Sequence, residues 1–405
     1  MSAIDAIYRI ESPKLVARLA RMVRDLGLAE ELAHDAYVAA LETWPVSGPP
    51  ANPGAWLMTT AKHRAIDRLR HAKRAEAKHE QIAHERVEPR SAEIDLDDVG
   101  DDMLRLIFTA CHPVLPPEAR VALTLRLVGG LTTAEIARAF LVSEPTIAQR
   151  IVRAKRALAD ARVPYEVPAG DELAPRLASV LEVIYLVFNE GYAATGGESW
   201  LRPQLIEDAL RLGRIVAQRM PDEPEAHGLV ALLELQASRV AARVGPGGEP
   251  ILLLDQQRAR WVHLLIRRGL AALARAEAAG PRGPDALQAA IAACHARART
   301  AEAAEWPRIA ALYAALVELV PSPVVELNRA VAIGMAFGPE AALEIVDALR
   351  DDPALVHYHL LPSVRGDLLV KLGRIDEAKR ELAKAAKLCQ NARERELLQK
   401  RAAAL

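Results

Sequence analysis

Apolar residues recur along most of this chain at intervals of three and four, the spacing that lines one face of an α-helix. Leu15, Leu19, Met22, Val23 and Leu26 keep that period up to Gly27, which reads as the C-cap of a first helix. A second helix is predicted from about Ala29 to Trp44, with Leu32, Ala36, Ala40 and Leu41 sharing a face. Pro45–Gly54 then holds four prolines and two glycines, which predicts a loop. A third helix, from about Ala55 to Lys73, opens apolar and finishes basic.

The pattern fades between residues 75 and 100, resumes over 101–162, and is punctuated again at Pro164, Pro168 and Gly170. From Leu173 onward the chain is Ala-, Leu- and Arg-rich, broken by short Pro/Gly turns. Five segments follow: a helical unit at 1–75, an acidic linker at 76–100, a second helical unit at 101–165, a helical extension at 171–285 and a repeat-like stretch at 286–405. Tyr313, Val346 and Leu382 lie 33 and 36 residues apart, close to a 34-residue helix-turn-helix repeat. Gly366, Gly373, Ala378, Leu382 and Ala385 take the small and large packing positions of the last unit. Ala330, Ala342, Val346 and Leu349 fit the unit before it, and Trp306, Tyr313, Leu316 and Pro321 half of an earlier one.

Composition supports an all-α fold, because aromatics are only 4% of the residues and strands favour aromatic and β-branched ones. The net charge of −1 conceals two opposed stretches. Lys62–Arg74 carries six basic residues and one acid, whereas Glu93–Asp102 carries six acids and no base. A local basic stripe binds nucleic acid whatever the overall balance, since affinity follows the local field. The acids Asp95, Asp97, Asp98, Asp101 and Asp102 read as solvated linker or as a nucleic-acid mimic. Cys111, Cys294 and Cys389 have no paired spacing, so they suggest neither a disulfide framework nor a zinc motif. No cofactor or metal ligand is expected. The N-terminus lacks the pattern of a signal peptide and no 18-residue apolar run occurs, so a cytoplasmic protein with no membrane partner is expected.

Gly130–Leu158 carries the most specific chemistry. Thr132 or Thr133 can cap a short helix with Ile136, Ala137 and Phe140 on its inner face, and a turn at Leu141–Glu144 follows. A second helix opening at Pro145 buries Ile147, Ile151 and Leu158. It presents Thr146, Gln149, Arg150, Arg153, Lys155 and Arg156, the layout of a recognition helix entering the major groove. Arg can bond guanine bidentately, Gln suits adenine, and the remaining bases can hold phosphates. This stretch resembles region 4 of bacterial RNA polymerase sigma factors at Glu135, Ile136, Ala137, Thr146, Arg150, Arg153, Ala154 and Leu158. Ala148 replaces a residue usually basic there. The resemblance implies that the second helix reads the −35 promoter element.

Leu28–Pro45 resembles sigma region 2.2, and Asn52–Arg74 resembles regions 2.3 and 2.4. The resemblance implies that Glu30, Glu31, His34, Asp35 and Tyr37 dock on core RNA polymerase, whose β′ and β subunits are the expected partners. It also implies that Lys62, His63, Arg64, Arg68 and Arg70 hold the melting −10 element, with the Pro45–Pro53 loop as a pocket wall. His63 stands where many relatives carry Asn, and Trp56 and Leu57 read as core anchors. Two such units without a large domain between them resemble the extracytoplasmic-function (ECF) group of sigma factors. Phe108–Arg126 and Phe188–Tyr192 look like the subgroup whose C-terminal extension is tetratricopeptide-like.

Such a protein acts as a transcription initiation factor on promoter DNA, with the extension regulating it intramolecularly or through a protein partner. The alternative is a ligand- or peptide-sensing helix-turn-helix regulator that works without polymerase. No P-loop, nucleophile elbow, HExxH or dinucleotide fingerprint suggests an enzyme. Glu190 and Tyr192 read as a buried hydrogen-bonded pair fixing a helix end rather than as catalysts.

Overall fold

A computed structural model describes residues 3–79, 98–140, 142–195 and 198–405. The fold is all-α, and among the described residues the only β-type pairing is an isolated bridge between Val244 and Pro250. The chain forms two compact units, Met1–Ile184 and Tyr185–Leu405.

The first unit begins with α1 (Ala3–Val23), α2 (Leu26–Ser47) and α3 (Pro53–His79). Leu15, Leu19, Leu32, Ala36, Ala40, Leu57 and Ala61 are buried between them. Gly27 is not the cap of α1, as its position suggested. The chain turns at Arg24, whose φ is +55°, and Asp25 caps α2 by accepting a 2.8 Å bond from the Leu28 amide. Asp outranks a nearby glycine here because its carboxylate satisfies an orphan amide of the new helix. Leu41, expected on the core face, is exposed, and Trp44 is buried in its place. The expected loop is also shorter, because α2 passes through Pro45 to Ser47. A proline near a C-terminus removes a single ladder bond and leaves room for the remaining turn.

The second half of this unit holds α4 (Asp98–Ala110), α5 (Pro117–Leu127), α6 (Thr133–Phe140) and α7 (Glu144–Asp160). Phe108, Leu123, Leu125, Ile136 and Ile147 are buried in its core. Asp102 is no part of a solvated linker. It is 1% exposed and paired with Arg105 at 2.9 Å and Arg21 at 3.4 Å. Asp95 and Asp97 lie outside the described residues.

Next comes α8 (Leu173–Tyr192), whose opening turns are fastened to α4 and α5. Buried Arg120 donates to Ser179 Oγ at 2.5 Å and to Glu182 at 2.8 Å, and Ser179 donates to the Cys111 carbonyl. Arg176 donates to the Phe108 carbonyl at 3.0 Å. Cys111 is fully buried beside Thr124, and desolvation pushes its thiol up to about 12, which removes it as a nucleophile at neutral pH.

The second unit continues with α9 (Pro203–Arg219), α10 (Pro224–Ala237), α11 (His263–Ala279), α12 (Pro284–Arg297) and α13 (Trp306–Leu319). It ends with α14 (Pro323–Phe337), α15 (Pro339–Ala348), α16 (Leu360–Lys371), α17 (Ile375–Leu388) and α18 (Ala392–Ala403). Proline opens most of these helices, where its missing N–H costs nothing. α16 and α17 approach closely because Gly366 has no Cβ. One placed there would sit 2.9 Å from Leu382 Cγ. Val346 and Leu382 are buried, and Tyr313 is half-buried. Glu190 and Tyr192 do not bond to each other. Glu190 pairs with Arg202 and accepts from Thr195, whereas Tyr192 accepts from Arg239 and lies 3.5 Å from the Arg243 guanidinium.

Candidate nucleic-acid interface

α6 and α7 are held at their starts by two different caps. Thr132 and Glu135 form a reciprocal box, in which Glu135 accepts from the Thr132 amide at 2.8 Å and Thr132 Oγ1 from the Glu135 amide at 3.1 Å. Ser143 caps α7, and its hydroxyl also lies 2.7 Å from that of Thr146. Ile147, Ile151, Ala154 and Leu158 anchor α7 in the core. Gln149, Arg153 and Arg156 are left exposed, and Arg150 is half-buried. Among the described residues Arg150 and Arg153 engage no carboxylate, while Arg156 has only a loose 3.6 Å pair with Asp160. Lys155 departs from this pattern. It is turned inward and pairs with Glu30.

Glu30 also accepts from Arg126 Nε at 2.6 Å, so one carboxylate on α2 ties together α5 and α7. Burial alone would raise its pKa, but the two cations outweigh burial and hold the carboxyl below the usual range. A second tie comes from Tyr165, whose hydroxyl lies 2.8 Å from the Ala17 carbonyl and 3.0 Å from that of Asp102. Neither tie was apparent in the sequence, where Arg126 only ends the Phe108–Arg126 stretch and Tyr165 belongs to no motif.

The basic face of α3 is partly neutralised by α2. Arg68 meets Glu31 at 3.0 Å, and Arg64 meets Asp35 at 3.5 Å. All four side chains are well exposed, so each pair is worth under about 1 kcal/mol and exchanges readily. Lys62 is half-buried, and His63 and Arg70 are exposed on the same helix. His34 is exposed, and Tyr37 stacks on Tyr8 with ring centroids 4.3 Å apart. Leu57 is fully buried, whereas Trp56 is half-buried and lies edge-on to Trp44 at 5.3 Å.

Comparison with known proteins bears on this arrangement. Residues 7–75 match the family model for sigma-70 region 2, and residues 105–158 match that for sigma-70 region 4. The chain is 29% identical over 162 residues to the ECF RNA polymerase sigma factor SigK of Mycobacterium tuberculosis (strain H37Rv), spanning 39% of this chain and 84% of that one. SigK of Mycobacterium ulcerans is 30% identical over 161 residues, or 38% and 83% of the two chains.

The chain belongs to the sigma factors. The sigma factor is also 43% identical over 395 residues to R00370 of Rhizobium meliloti (strain 1021), described as uncharacterized, covering 96% of this chain and 93% of that one. Its likeness to R00370 therefore takes in the extension as well. Residues 176–277 match a family of unknown function, DUF6596. No solved structure matches. Among the described residues no helix is long and apolar enough to cross a membrane.

Proposed function

We propose that this sigma factor reads the −35 element with Thr146, Gln149, Arg150, Arg153, Lys155 and Arg156 of α7, and opens the −10 element against Lys62, His63, Arg64, Arg68 and Arg70 of α3. Glu30, Glu31, His34, Asp35 and Tyr37 of α2 dock on core polymerase, through its β′ and β subunits. The observation that carries this reading is the exposed edge of α7 at Gln149 and Arg153, whose guanidinium engages no carboxylate among the described residues, set on a doubly capped helix-turn-helix. Opening DNA requires a base to be unstacked, at a cost of a few kcal/mol that a cationic helix offsets through backbone contacts.

The ion pairs between α2 and α3 couple the two tasks. Polymerase that takes Glu31 and Asp35 releases Arg68 and Arg64 for the strand. Polymerase and DNA that take Glu30 and Lys155 likewise undo the tie between α2 and α7. The extension regulates this step through a tetratricopeptide-like surface. The helical hairpins α14–α15 and α16–α17 and the close approach at Gly366 support that reading.

Run-off transcription with purified core polymerase, on the promoter upstream of the protein's own operon, tests the function. A discrete transcript that depends on the protein is expected, and none from any template would contradict it. Removing residues from about 170 onward should alter promoter output in cells. Output that still followed inducing conditions unchanged would exclude a regulatory extension.

A further inference from the structure

Three helix ends meet in the extension, and each brings a metal-ligating side chain. His359 directly precedes α16, Cys389 follows the last residue of α17, and Glu394 lies in the first turn of α18. One oxygen of Glu394 is 3.1 Å from His359 Nε2, and the other is 3.6 Å from Cys389 Sγ. The ligand atoms all lie within 4.8 Å of one another. A tetrahedral ion bound to sulfur, nitrogen and oxygen needs ligand separations of about 3.4–3.6 Å, so small side-chain shifts would close the shell.

The ring nitrogen is the telling atom. His359 Nε2 is buried and, among the described residues, makes no hydrogen bond, although a Glu394 oxygen lies 3.1 Å away. Buried polar atoms are almost always satisfied, and a cation between the three groups would satisfy this one. Cys389 is 3% exposed, while His359 and Glu394 keep 22% and 24% of their side chains accessible, which leaves an approach from solvent.

The backbone carrying these ligands is itself fixed. Asn391 accepts from the amides of Arg393 and Glu394, and its Nδ2 donates to the carbonyls of Ala194 and Ser199, each at 3.2 Å. Arg395 donates to the carbonyls of Cys389 and Gln390 at 3.0 and 3.1 Å. Such outer contacts hold the ligands of metal sites in place.

We propose that His359, Cys389 and Glu394 form a binding site for a thiophilic divalent cation, zinc, with a fourth position open to water or a partner's side chain. A sulfur, nitrogen and oxygen set excludes magnesium and calcium, which take oxygen ligands. On binding, the Cys389 thiol gives its proton to solvent and its sulfur bonds the ion. The ion then joins the ends of α16, α17 and α18.

The full chain, freed of metal with a chelator, would be titrated with zinc against a chromophoric chelator and with cobalt followed by absorbance. One equivalent should bind, and cobalt should give a thiolate charge-transfer band. Cys389→Ser and His359→Ala should each weaken zinc binding at least about 100-fold, and Cys294→Ser should leave it unchanged. Zinc should raise the thermal midpoint of the native protein but not that of Cys389→Ser. Glu394→Gln, which keeps the side chain's shape, should also lose affinity while circular dichroism stays native. No stoichiometric uptake by the native chain, or equal uptake by Cys389→Ser, overturns the proposal.

Discussion

On α7 the exposed guanidinium of Arg153 engages no carboxylate among the described residues, whereas on α3 Arg64 and Arg68 each meet an acid of α2. Both helices are basic, yet these guanidinium groups are held differently. Arg153 on α7 can meet phosphate or a guanine edge without first giving up a carboxylate, whereas Lys155 on the same helix is tied to Glu30. Arg64 and Arg68 on α3 must exchange partners before they can hold a strand, and the acids they release are those proposed to face polymerase. Under the proposed assignment, the placement of the acids is what separates promoter binding on α7 from duplex opening on α3.

The largest expected effect comes from the group that joins the two halves. Glu30→Ala leaves Lys155 and Arg126 facing each other without their shared anion, and should destabilise the first unit by about 3 kcal/mol in urea unfolding. A change under about 0.5 kcal/mol would show that this tie is weak. The pH dependence has a definite sign. The folded Glu30 pKa is depressed, so its contribution is fully present above the ordinary Glu value of about 4.3 and is lost as pH falls through the lower folded value. Glu30→Gln should flatten that acid limb of the stability curve.

Next in size is Arg153→Ala, which should weaken −35 DNA binding by about 1–3 kcal/mol without moving the thermal midpoint. Arg64→Ala and Arg68→Ala should each change stability by under about 1 kcal/mol, since their pairs are exposed, while reducing opening of the −10 element. A stability loss like that of Glu30→Ala would remove the contrast between the helices. Smallest is Ala148→Arg, which adds a cation at an exposed position of α7, where the resemblance to region 4 implies a basic residue. It should tighten DNA binding a few-fold and steepen the salt dependence by about one phosphate contact.

The helix-turn-helix was legible because both its ends are written locally. Thr132 and Glu135 form a capping box, and Ser143 precedes Pro145 at a helix start. The burial of Ile147, Ile151 and Leu158 followed from their spacing alone. Local signals misled where two competed, as at Gly27 against Asp25 and Leu41 against Trp44. The contacts that organise the unit were not legible, because they join residues far apart in the chain. Glu30 finds Lys155 across 125 positions, and Tyr165 reaches Ala17 across 148. Likewise His359, Cys389 and Glu394 follow no metal-binding spacing, and only the folding of three helix ends brings them together.

The division between gripping and opening is tested most directly by measuring both steps on one promoter. Binding of holoenzyme would be followed by filter retention, and opening by a fluorescent base analogue in the −10 element. Arg153→Ala should lower occupancy while the bound fraction opens normally, and Arg64→Ala combined with Arg68→Ala should bind normally and fail to open. Equal losses at both steps for both variants would contradict the account.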